Sequence, residues 1–265
     1  MSKQFITFGG GGKNYIDAGK RLIKQALNLN IFNKITLYTD ISLKKDTEFW
    51  SKHKNFIENN KRGYGYWIWK SYIIKKTFEQ MQDNDILLYI DSGCEIDIRE
   101  KDYLLNCLEV VKKDYIIGST TEYLEKEYNK MDLILKLNMN KYLDTYQRQG
   151  GVLLFFVCTD TRNLINEWYE LSCNYHLIDD TKSINKNLIS FIDHRHDQSV
   201  FSLLTKKYNL FSNISLDYKC IKVIRNKTGI SQINNIENIK NFKKNKSRMN
   251  KLLNINKFMK INGFR

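Results

Sequence analysis

The first 40 residues place the strongest constraint on the fold of this chain. Residues 3–8, KQFITF, alternate in the manner of a β-strand and end at four glycines, Gly9–Gly12. Apolar side chains recur at helical spacing over residues 15–29, and residues 34–40, KITLYTD, predict a second strand that ends at Asp40. A strand, a glycine loop, a helix and another strand open a nucleotide-binding α/β unit. We therefore expect an α/β fold with a mixed, mainly parallel sheet flanked by helices.

Two further segments predict strands in the interior of the sheet. ILLYID, residues 86–91, is apolar until its last residue, which is typical of a strand buried on both faces. GGVLLFFV, residues 150–157, has the same character. Helical spacing predicts helices at residues 43–58, 67–81, 101–113, 122–143, 161–175 and 197–208. This alternation of strands and helices supports the α/β prediction.

Positive charge is concentrated near the C-terminus. The chain of 265 residues has a net charge of +14. Residues 219–265 contain 13 Lys or Arg and one acid, Glu237, so they carry +12 and residues 1–218 carry +2. The composition there shifts toward Asn and Lys. We therefore expect one folded domain over residues 1–227 and a basic tail over residues 228–265.

The tail has an apolar stripe that fits an amphipathic helix. Five apolar side chains share one helical face, with lysines near its border: Met249, Leu252, Leu253, Phe258 and Met259. An anionic membrane surface would bind such a helix. Docking on the folded domain, docking on a second subunit, a polyanionic partner and a solvated tail are the alternatives. No nucleic-acid partner is expected, because the rest of the chain is almost neutral.

Neither a membrane span nor a secretion signal is evident in the sequence. No apolar run approaches the ~20 residues that cross a bilayer. The first residues, MSKQFITFGGGG, lack the apolar core and cleavage site of a signal peptide. The five cysteines include no CxxC pair, which is typical of reduced thiols. We expect a cytoplasmic protein, with peripheral attachment to the inner face of the membrane as the alternative.

Two features at the ends of the first strands suit a nucleotide. The glycine loop lies just before a helix, where backbone N–H groups bind phosphate. The residues concerned are Gly9, Gly10, Gly11, Lys13 and Tyr15. Their spacing matches neither GxGxxG nor a P-loop, so a tight turn is the alternative. Asp40 follows the second strand, where a carboxylate meets a ribose or base, or else caps the next helix.

Aromatic and basic residues cluster at the start of the helix predicted over residues 67–81. The cluster consists of Arg62, Tyr64, Tyr66, Trp67, Trp69 and Lys70. A cation from this cluster would neutralise a diphosphate, and a ring would stack on a base or sugar. Core packing is the alternative for Trp67 and Trp69. For Lys70 we favour a functional role.

The segment DSGCEID follows the apolar strand at residues 86–91. Asp91 stands at the end of that strand, where a buried carboxylate is costly without a partner. A divalent metal that bridges a diphosphate is such a partner. Gly93 would let a ligand approach the backbone closely. A capping Asp in a turn is the alternative.

The segment HRHDQ, residues 194–198, is dense in polar chemistry. Asp197 fits a general base or a group that stabilises developing positive charge. The alternative is a helix-capping Asp beside two surface histidines, His194 and His196. An HxH pair also binds zinc, but no further ligands stand at suitable spacing.

Four segments together resemble one family of proteins. They are RGYGYWIWKSYIIKKT, DNDILLYIDSGCEI, RQGGVLLFF and HRHDQSVFSLL, and the resemblance covers residues 3–227. They are similar to GT-A-type glycosyltransferases of bacterial surface-glycan loci, for capsule and lipooligosaccharide, and of large viruses. The resemblance implies a GT-A-like catalytic domain over residues 1–227, a UDP- or GDP-sugar donor, a glycan or lipid-linked glycan acceptor, and a role in surface polysaccharide synthesis.

The resemblance also implies roles for residues on the donor side. Asp91, Ser92 and Gly93 would bind the donor, and Asp91 would hold Mn²⁺ or Mg²⁺. Gly93 stands where the family motif DxD has its second Asp, so Glu95 is the candidate replacement. Donor contacts are also expected from the glycine loop, Asp40 and the aromatic and basic cluster, namely Gly9, Gly10, Gly11, Lys13, Tyr15, Arg62, Tyr66 and Lys70.

On the acceptor side, the resemblance assigns a second set of residues. Gln149, Gly150 and Gly151 would face the acceptor, and His194 and His196 are expected beside them. Asp197 and Gln198 match a pair at the reaction centre of related transferases. Arg225 and Lys227 would close over the diphosphate. All of these positions serve one requirement, the stabilisation of charge on the leaving nucleotide.

Two other classes of protein compete with this prediction. A nucleic-acid-binding or scaffold protein without catalysis would use the basic tail, and its salt-sensitive binding would survive mutation of Asp91 and Asp197. A methyltransferase with a Rossmann-like fold would need a cofactor-binding glycine pattern that Gly9–Gly12 does not provide.

Overall fold

The computed structural model describes residues 1–216 and 219–233. The chain divides into two compact units, Met1–Gly229 and Ile230–Arg265. The helix predicted in the basic tail lies outside the described residues. None of the helices in the described ranges combines the length and apolar character that a membrane span needs.

A six-stranded sheet forms the centre of the first unit. Its strands, in spatial order, are β2 (Lys34–Tyr38), β1 (Lys3–Phe8), β3 (Ile86–Ile90), β8 (Val152–Phe156), β5 (Ile116–Gly118) and β9 (Ser212–Asn213). Five of them run in one direction, and β8 runs antiparallel to β3 and β5 on either side. The predicted mixed, mainly parallel sheet is confirmed.

Two small antiparallel ladders lie outside the main sheet. One pairs β4 (Cys94–Ile96) with β10 (Ile221–Val223), and the other pairs β6 (Thr120–Leu124) with β7 (Tyr146–Arg148). The β4–β10 pair joins the segment after β3 to the last described part of the unit. It therefore brings residues 94–96 and 221–223 together although more than a hundred positions separate them.

Helices connect and cover the strands. They are α1 (Lys13–Leu29), α2 (Asp40–Lys45), α3 (Thr47–Asn59), α4 (Gly63–Tyr66), α5 (Ile68–Glu79), α6 (Lys101–Asp114), α7 (Glu125–Tyr128), α8 (Met131–Leu137), α9 (Thr159–Cys173) and α10 (Asp197–Tyr208). Short 3₁₀ helices occupy Ile98–Glu100, Asn140–Tyr142 and Tyr175–Leu177. The predicted α10 is confirmed at both ends.

The position of β3 in the interior of the sheet explains why its sequence is apolar throughout. Successive side chains of a strand point to opposite faces of the sheet. Leu87 and Tyr89 belong to a hydrophobic cluster on one face, while Leu88 and Ile90 belong to the cluster on the other. All five residues of β3 are buried. Both faces of the sheet are therefore covered, and Asp91 is the first residue beyond the apolar stretch.

Three sequence predictions are corrected by the structure. The helix predicted at residues 122–143 is wrong, because this stretch holds part of β6, two short helices and a 3₁₀ turn. The helix predicted at residues 43–58 is split at Asp46, which caps α3 by accepting a hydrogen bond from Phe49 N. The second strand ends at Tyr38, and Asp40 is the first residue of α2, with Thr39 as its capping residue.

Candidate functional site

An open cleft lies at the carboxyl ends of β1 and β3. It encloses about 500 Å³, and its lining falls into three groups of residues. The first group is Phe8, Gly10, Gly11 and Tyr15 with Asp91–Cys94. The second, called here the aromatic wall, is Lys61, Gly63, Tyr64, Trp67 and Trp69. The third is Thr121, Tyr123, Gln149, Gly151, Arg195, Gln198, Val223, Arg225 and Lys227. Ligands of open α/β sheets bind at this edge, beyond the ends of parallel strands.

A second cavity of similar size lies elsewhere in the molecule. It encloses about 480 Å³ between α5 and α9 and is lined by Lys75, Phe78, Glu79 and Arg162 among others. None of the residues predicted from sequence to be functional lines it. The cleft at the strand ends is therefore the candidate site.

A buried lysine connects the cleft to the start of α10. Lys70 lies on α5 with 4% of its side chain exposed, and its Nζ is 2.9 Å from Asp197 Oδ2 and 3.5 Å from Asp91 Oδ1. It also donates a hydrogen bond to the carbonyl of Gly150 at 3.2 Å. Asp197 is itself buried, whereas the Asp91 side chain is 38% exposed and lines the cleft. Lys70 therefore joins a sealed carboxylate to an accessible one.

The protonation of this group follows from burial and charge. Burial works to lower the pKa of Lys70, but the carboxylates of Asp197 and Asp91 outweigh it and raise the pKa above its ordinary value. Burial raises the pKa of Asp197 to about 6, although Lys70 opposes the change. The lysine therefore stays charged, while Asp197 changes charge close to neutral pH.

Asp91 is held in place from several sides. Its Oδ1 accepts a hydrogen bond from the Tyr89 hydroxyl, and burial together with this carboxylate raises the pKa of Tyr89 well above its ordinary value. Gly151 packs directly against Asp91, since a Cβ added to that glycine would lie 2.8 Å from Oδ2. A larger residue at position 151 would therefore displace the Asp91 carboxylate from its present position.

Gln198 lines the cleft and is hydrogen-bonded to the backbone of Gly150. Its Oε1 accepts a hydrogen bond from Gly150 N at 3.2 Å, and its Nε2 donates to Gln147 Oε1 at 2.8 Å. Gln147 is fully buried. The side chain of Gln198 is therefore oriented by the protein interior, beside the lining residues Gln149 and Gly151.

The aromatic wall of the cleft stands on an unusual backbone. Gly63, Tyr64, Gly65, Tyr66 and Trp67 all have positive φ, between 49° and 82°, so α4 is a left-handed turn. Left-handed conformation costs an L-residue about 1–2 kcal/mol, so the three aromatic residues oppose this turn and only its two glycines favour it. Strain of this kind clusters at functional sites.

Tertiary contacts hold the turn against that strain. Trp69 Nε1 donates a hydrogen bond to the Gly63 carbonyl at 2.9 Å, and the ring of Trp69 stacks on Phe8 at 3.9 Å. The ring of Trp67 stacks on His196 at 5.3 Å. The hydroxyl of Tyr64 is buried without a hydrogen-bond partner in the described part of the chain. The turn thus directs Tyr64 and Trp67 into the wall of the cleft.

Both predicted acceptor histidines lie in the interior and do not line the cleft. His194 Nε2 donates to the Leu177 carbonyl at 2.8 Å, and its Nδ1 accepts from Lys130 N at 3.2 Å. Burial lowers the pKa of His194 to about 3, so the ring is neutral. His196 donates from Nδ1 to the Ile178 carbonyl at 2.7 Å. These contacts connect the start of α10 to the loop after α9.

The predicted donor residues divide between the cleft and its surroundings. Gly10, Gly11, Tyr15, Asp91, Ser92, Gly93, Arg225 and Lys227 line the cleft. Gly9 is buried against α1, and Lys13 is exposed at its start. Arg62 forms ion pairs with Asp180 and Asp193. Tyr66 and Lys70 are buried behind the wall. Asp40 lies next to Gly10, and its Oδ1 is buried without a hydrogen-bond partner among the described residues.

The predicted metal ligands are separated. Asp91 faces the cleft, but Glu95 is fully buried on β4 and accepts hydrogen bonds from Asn226 Nδ2 at 2.6 Å and Gln25 Nε2 at 3.1 Å. Within residues 1–216 and 219–233, no three His, Cys, Asp or Glu side chains come together in a way that could hold a metal ion. The described lining offers a divalent cation one carboxylate, Asp91, whose charge is already opposed by Lys70 at 3.5 Å, so this set of side chains does not suit a divalent cation.

Sequence reasoning assigned no role to several lining residues. They are Phe8, Lys61, Gly63, Cys94, Thr121, Tyr123, Arg195 and Val223. Tyr64, Trp67 and Trp69 were candidates from the aromatic and basic cluster, and all three line the cleft. The pair of glycines among aromatic residues at positions 63–67 was a signal for an unusual turn. Nothing local marks Thr121 or Tyr123, which reach the cleft because β6 pairs with β7 across the chain.

The fold and the cleft define an α/β protein with an open site at the carboxyl ends of parallel strands. No protein-family model and no curated protein matches the sequence. Among solved structures, the chain is similar to mouse xyloside xylosyltransferase 1, with 10% identity over 81% of this chain and 85% of that one and a TM-score of 0.43.

Two other solved structures show a comparable similarity. The galactosyltransferase LgtC, in complex with donor and acceptor sugar analogs, has 14% identity over 78% of this chain and 72% of that chain, with a TM-score of 0.45. A glycosyltransferase involved in the glycosylation of the major capsid of PBCV-1 has 10% identity over 64% of this chain and 66% of that one, with a TM-score of 0.37.

Proposed function

We propose that this chain is a glycosyltransferase that moves a sugar from a nucleotide-diphosphate donor to a glycan acceptor. One observation carries the proposal: an accessible carboxylate, Asp91, lines the same cleft as the glycine loop, the cations Arg225 and Lys227, and the residues Gln149, Gly151 and Gln198. Transfer of a glycosyl group needs a site for an anionic leaving group next to a site for a hydroxyl nucleophile. The cleft offers both.

The donor occupies the side of the glycine loop. Gly10, Gly11, Tyr15 and Tyr64 line the cleft, and Asp40 lies next to Gly10. Among the described residues, neither the Asp40 Oδ1 nor the Tyr64 hydroxyl has a hydrogen-bond partner. Buried polar atoms need hydrogen-bond partners, and the hydroxyl and N–H groups of a nucleoside supply them. Arg225 and Lys227 lie in the same cleft and meet the negative charge of the diphosphate.

The sugar and the acceptor meet at Asp91. Asp91 is the one carboxylate among the cleft-lining residues of the described chain, so it accepts the hydrogen bond of a hydroxyl group there. As the bond from the anomeric carbon to the phosphate oxygen breaks, the electron pair leaves with the diphosphate, and the cations stabilise it. The new bond forms to the oxygen of an acceptor hydroxyl held near Gln149 and Gly151, and the proton of that hydroxyl passes to the Asp91 carboxylate.

Lys70 and Asp197 act from behind the cleft wall. Neither lines the cleft, and their role is to orient Asp91 and the carbonyl of Gly150. Asp197, predicted from sequence as a general base or a group that stabilises developing positive charge, therefore acts here as a positioning residue. Gln198 supports Gly150 from the opposite side.

The setting of the reaction is part of the proposal. Residues 1–227 form the catalytic domain, and the basic residues 228–265 bring it to an anionic membrane surface at the cytoplasmic face. The acceptor there is a glycan or lipid-linked glycan of a surface polysaccharide. Support comes from the four motif segments and from the charge of the tail.

Substitution of Asp91 tests the proposal most directly. UDP-, GDP-, CMP- and dTDP-sugars are first screened by thermal shift, because a ligand of the native state raises the melting temperature. With the donor found, Asp91→Asn should lower the transfer rate by about 10³-fold, since it removes the only accessible carboxylate of the site. The melting temperature should change little, because Lys70 retains its ion pair with Asp197.

The control is Asp83→Asn, an exposed acid that pairs with Arg162 away from the cleft. It should transfer sugar at the wild-type rate. Unchanged transfer by Asp91→Asn with a verified donor and acceptor would refute the proposal. Salt-sensitive RNA binding without any donor binding would favour the nucleic-acid alternative instead.

A further inference from the structure

The candidate cleft has an excess of positive charge. Its charged lining consists of four cations, Lys61, Arg195, Arg225 and Lys227, and one carboxylate, Asp91. The charge of Asp91 is already opposed by Lys70, whose Nζ lies 3.5 Å from it. A divalent cation entering this cleft would be repelled by the lining, whereas an anion would be attracted.

The four cations have no counter-ion within the part of the chain that the structure describes. None of them forms an ion pair with a carboxylate among residues 1–216 and 219–233. Arg195 lies over the rings of Tyr123 and Tyr128, and its Nε is buried without a hydrogen-bond partner in that part of the chain. Lys227 lies over the ring of Tyr15 at 5.1 Å. The lining therefore has unused cationic donors directed at the cleft.

The place of a second metal-binding carboxylate is taken by the backbone that bears two of these cations. Position 93 is glycine, and a Cβ added there would lie 3.3 Å from Arg225 Cα. Asn226 N donates a hydrogen bond to the Gly93 carbonyl at 2.8 Å. The segment 225–227 is thus packed against the strand end where a DxD motif would place its second acid.

Glu95 supports that segment instead of facing the cleft. It accepts the hydrogen bond of Asn226 Nδ2 at 2.6 Å, and Asn226 lies between Arg225 and Lys227 in the chain. Arg21 completes the connection: it donates to the carbonyls of Asn226 at 3.1 Å and of Ser92 at 2.8 Å. A buried acid and a buried guanidinium therefore hold the two cations beside Asp91.

We propose that this cleft binds the diphosphate of its donor without a divalent metal, with Arg225 and Lys227 supplying the positive charge that a metal would supply. Glu95 acts through Asn226 as a positioning residue. The inference rests on the proposed function for the identity of the ligand. Arg is suited to this work because its planar guanidinium binds two phosphate oxygens at once.

Calorimetric titration of the full chain with UDP and with GDP tests this inference. Each titration is run in EDTA, in Mn²⁺ and in Mg²⁺. The nucleoside diphosphate that binds should do so in EDTA with a dissociation constant within about twofold of the value in Mn²⁺. Removing both cations, in R225Q/K227Q, should weaken binding about 100-fold in every buffer.

Two further variants make the result specific. Lys222→Gln is the matched control. Lys222 lies on β10, three residues before Arg225, does not line the cleft, and its Nζ contacts the Lys219 carbonyl and Asp97 Oδ2. This variant should bind like the wild type. Glu95→Gln keeps one acceptor oxygen and should weaken binding less than Glu95→Ala, as a positioning role requires. If both Glu95 variants fail to fold, R225Q/K227Q still decides.

The outcomes separate this inference from the proposed function. Binding that appears only with Mn²⁺ or Mg²⁺ would overturn the metal-free site and leave the glycosyltransferase proposal standing. Binding in EDTA that R225Q/K227Q does not weaken would also overturn it. Failure of every nucleoside diphosphate to bind, with or without metal, would remove the proposed function and this inference with it.

Discussion

Two buried lysine–carboxylate pairs in this molecule have different surroundings. Lys70 pairs with Asp197 at 2.9 Å, and Lys206 pairs with Glu125; in both pairs, 5% or less of either side chain is exposed. Lys70 also reaches Asp91, which lines the cleft. The other partners of Lys206 are Thr145 Oγ1 at 2.7 Å and the Tyr146 carbonyl at 2.8 Å.

The difference shows that a buried lysine–carboxylate pair stabilises the fold in one place and orients a group of the candidate site in the other. A buried ion pair costs desolvation, which is offset only when its remaining hydrogen bonds are satisfied. Glu125 is satisfied by protein groups alone, since Ser202 and Asn129 also donate to it. Lys70 instead divides its charge between a sealed acid and an accessible one. The first arrangement stabilises β6, β7 and α10, and the second orients a group that faces a ligand.

The largest effect should come from breaking the sealed pair. Glu125→Ala leaves Lys206 buried without its counter-ion, so the free energy of unfolding should fall by about 3–5 kcal/mol. Urea denaturation measures this change, with Glu109→Ala as control. Glu109 forms an exposed pair with Lys112, and its loss should cost under ~1 kcal/mol. Equal effects of the two substitutions would contradict the structural role of the sealed pair.

Breaking the pair beside the cleft should affect transfer more than folding. Asp197→Asn leaves Lys70 with Asp91, so the free energy of unfolding should fall by only about 1–2 kcal/mol. The transfer rate should fall about 100-fold, because Asp91 and Gly150 lose their common support. The measurement is the turnover of folded protein at saturating donor. If Asp197→Asn lowers stability but leaves the transfer rate unchanged, Asp197 has a structural role only, as Glu125 does.

The smallest expected effect is a pH dependence of kcat/KM that arises from Asp197 in the Lys70–Asp197 pair. Asp197, whose pKa is raised to about 6 by burial, is ionised above that pH and becomes protonated below it. At pH 5 about a tenth of the carboxylate remains charged, so kcat/KM should fall about tenfold from its value at pH 7. The kcat/KM of Asp197→Asn should not show this fall between pH 7 and pH 5.

The same pKa has a definite sign for stability. Between the ordinary pKa of 3.8 and about 6, the native state binds more protons at Asp197 than the unfolded state does. Its contribution to stability therefore decreases as the pH rises through this window. If kcat/KM falls below pH 6 while the contribution of Asp197 to stability increases, the loss of activity at low pH is not caused by unfolding.

Local patterns predicted the elements that carry the site. The strand of residues 3–8 and the helix of residues 197–208 are confirmed, and β3 was placed within one residue. These elements are set by periodicity, and each side chain that defines them lies within a few residues of the next. The stretch 122–143 failed because β6 depends on β7, whose pairing no local pattern reports.

The cleft itself was only partly predictable. Asp91 and the glycine loop were placed by the rule that ligands meet the ends of strands. Tyr64 was named in the aromatic and basic cluster, but the left-handed conformation of its backbone was not predicted, because an L-residue disfavours it. Glu95 was taken for a metal ligand, and the structure places it in the interior, where it supports Asn226.

The amino-acid sequence by itself determined the α/β order, the apolar strand that ends at Asp91 and the uneven distribution of charge. Only the tertiary structure decided which of these groups meet. Lys70 and Asp197 stand 127 positions apart, and Arg225 reaches Gly93 across a similar distance in the chain. Periodicity acts over a few residues, whereas an ion pair or a close backbone approach depends on how distant elements pack.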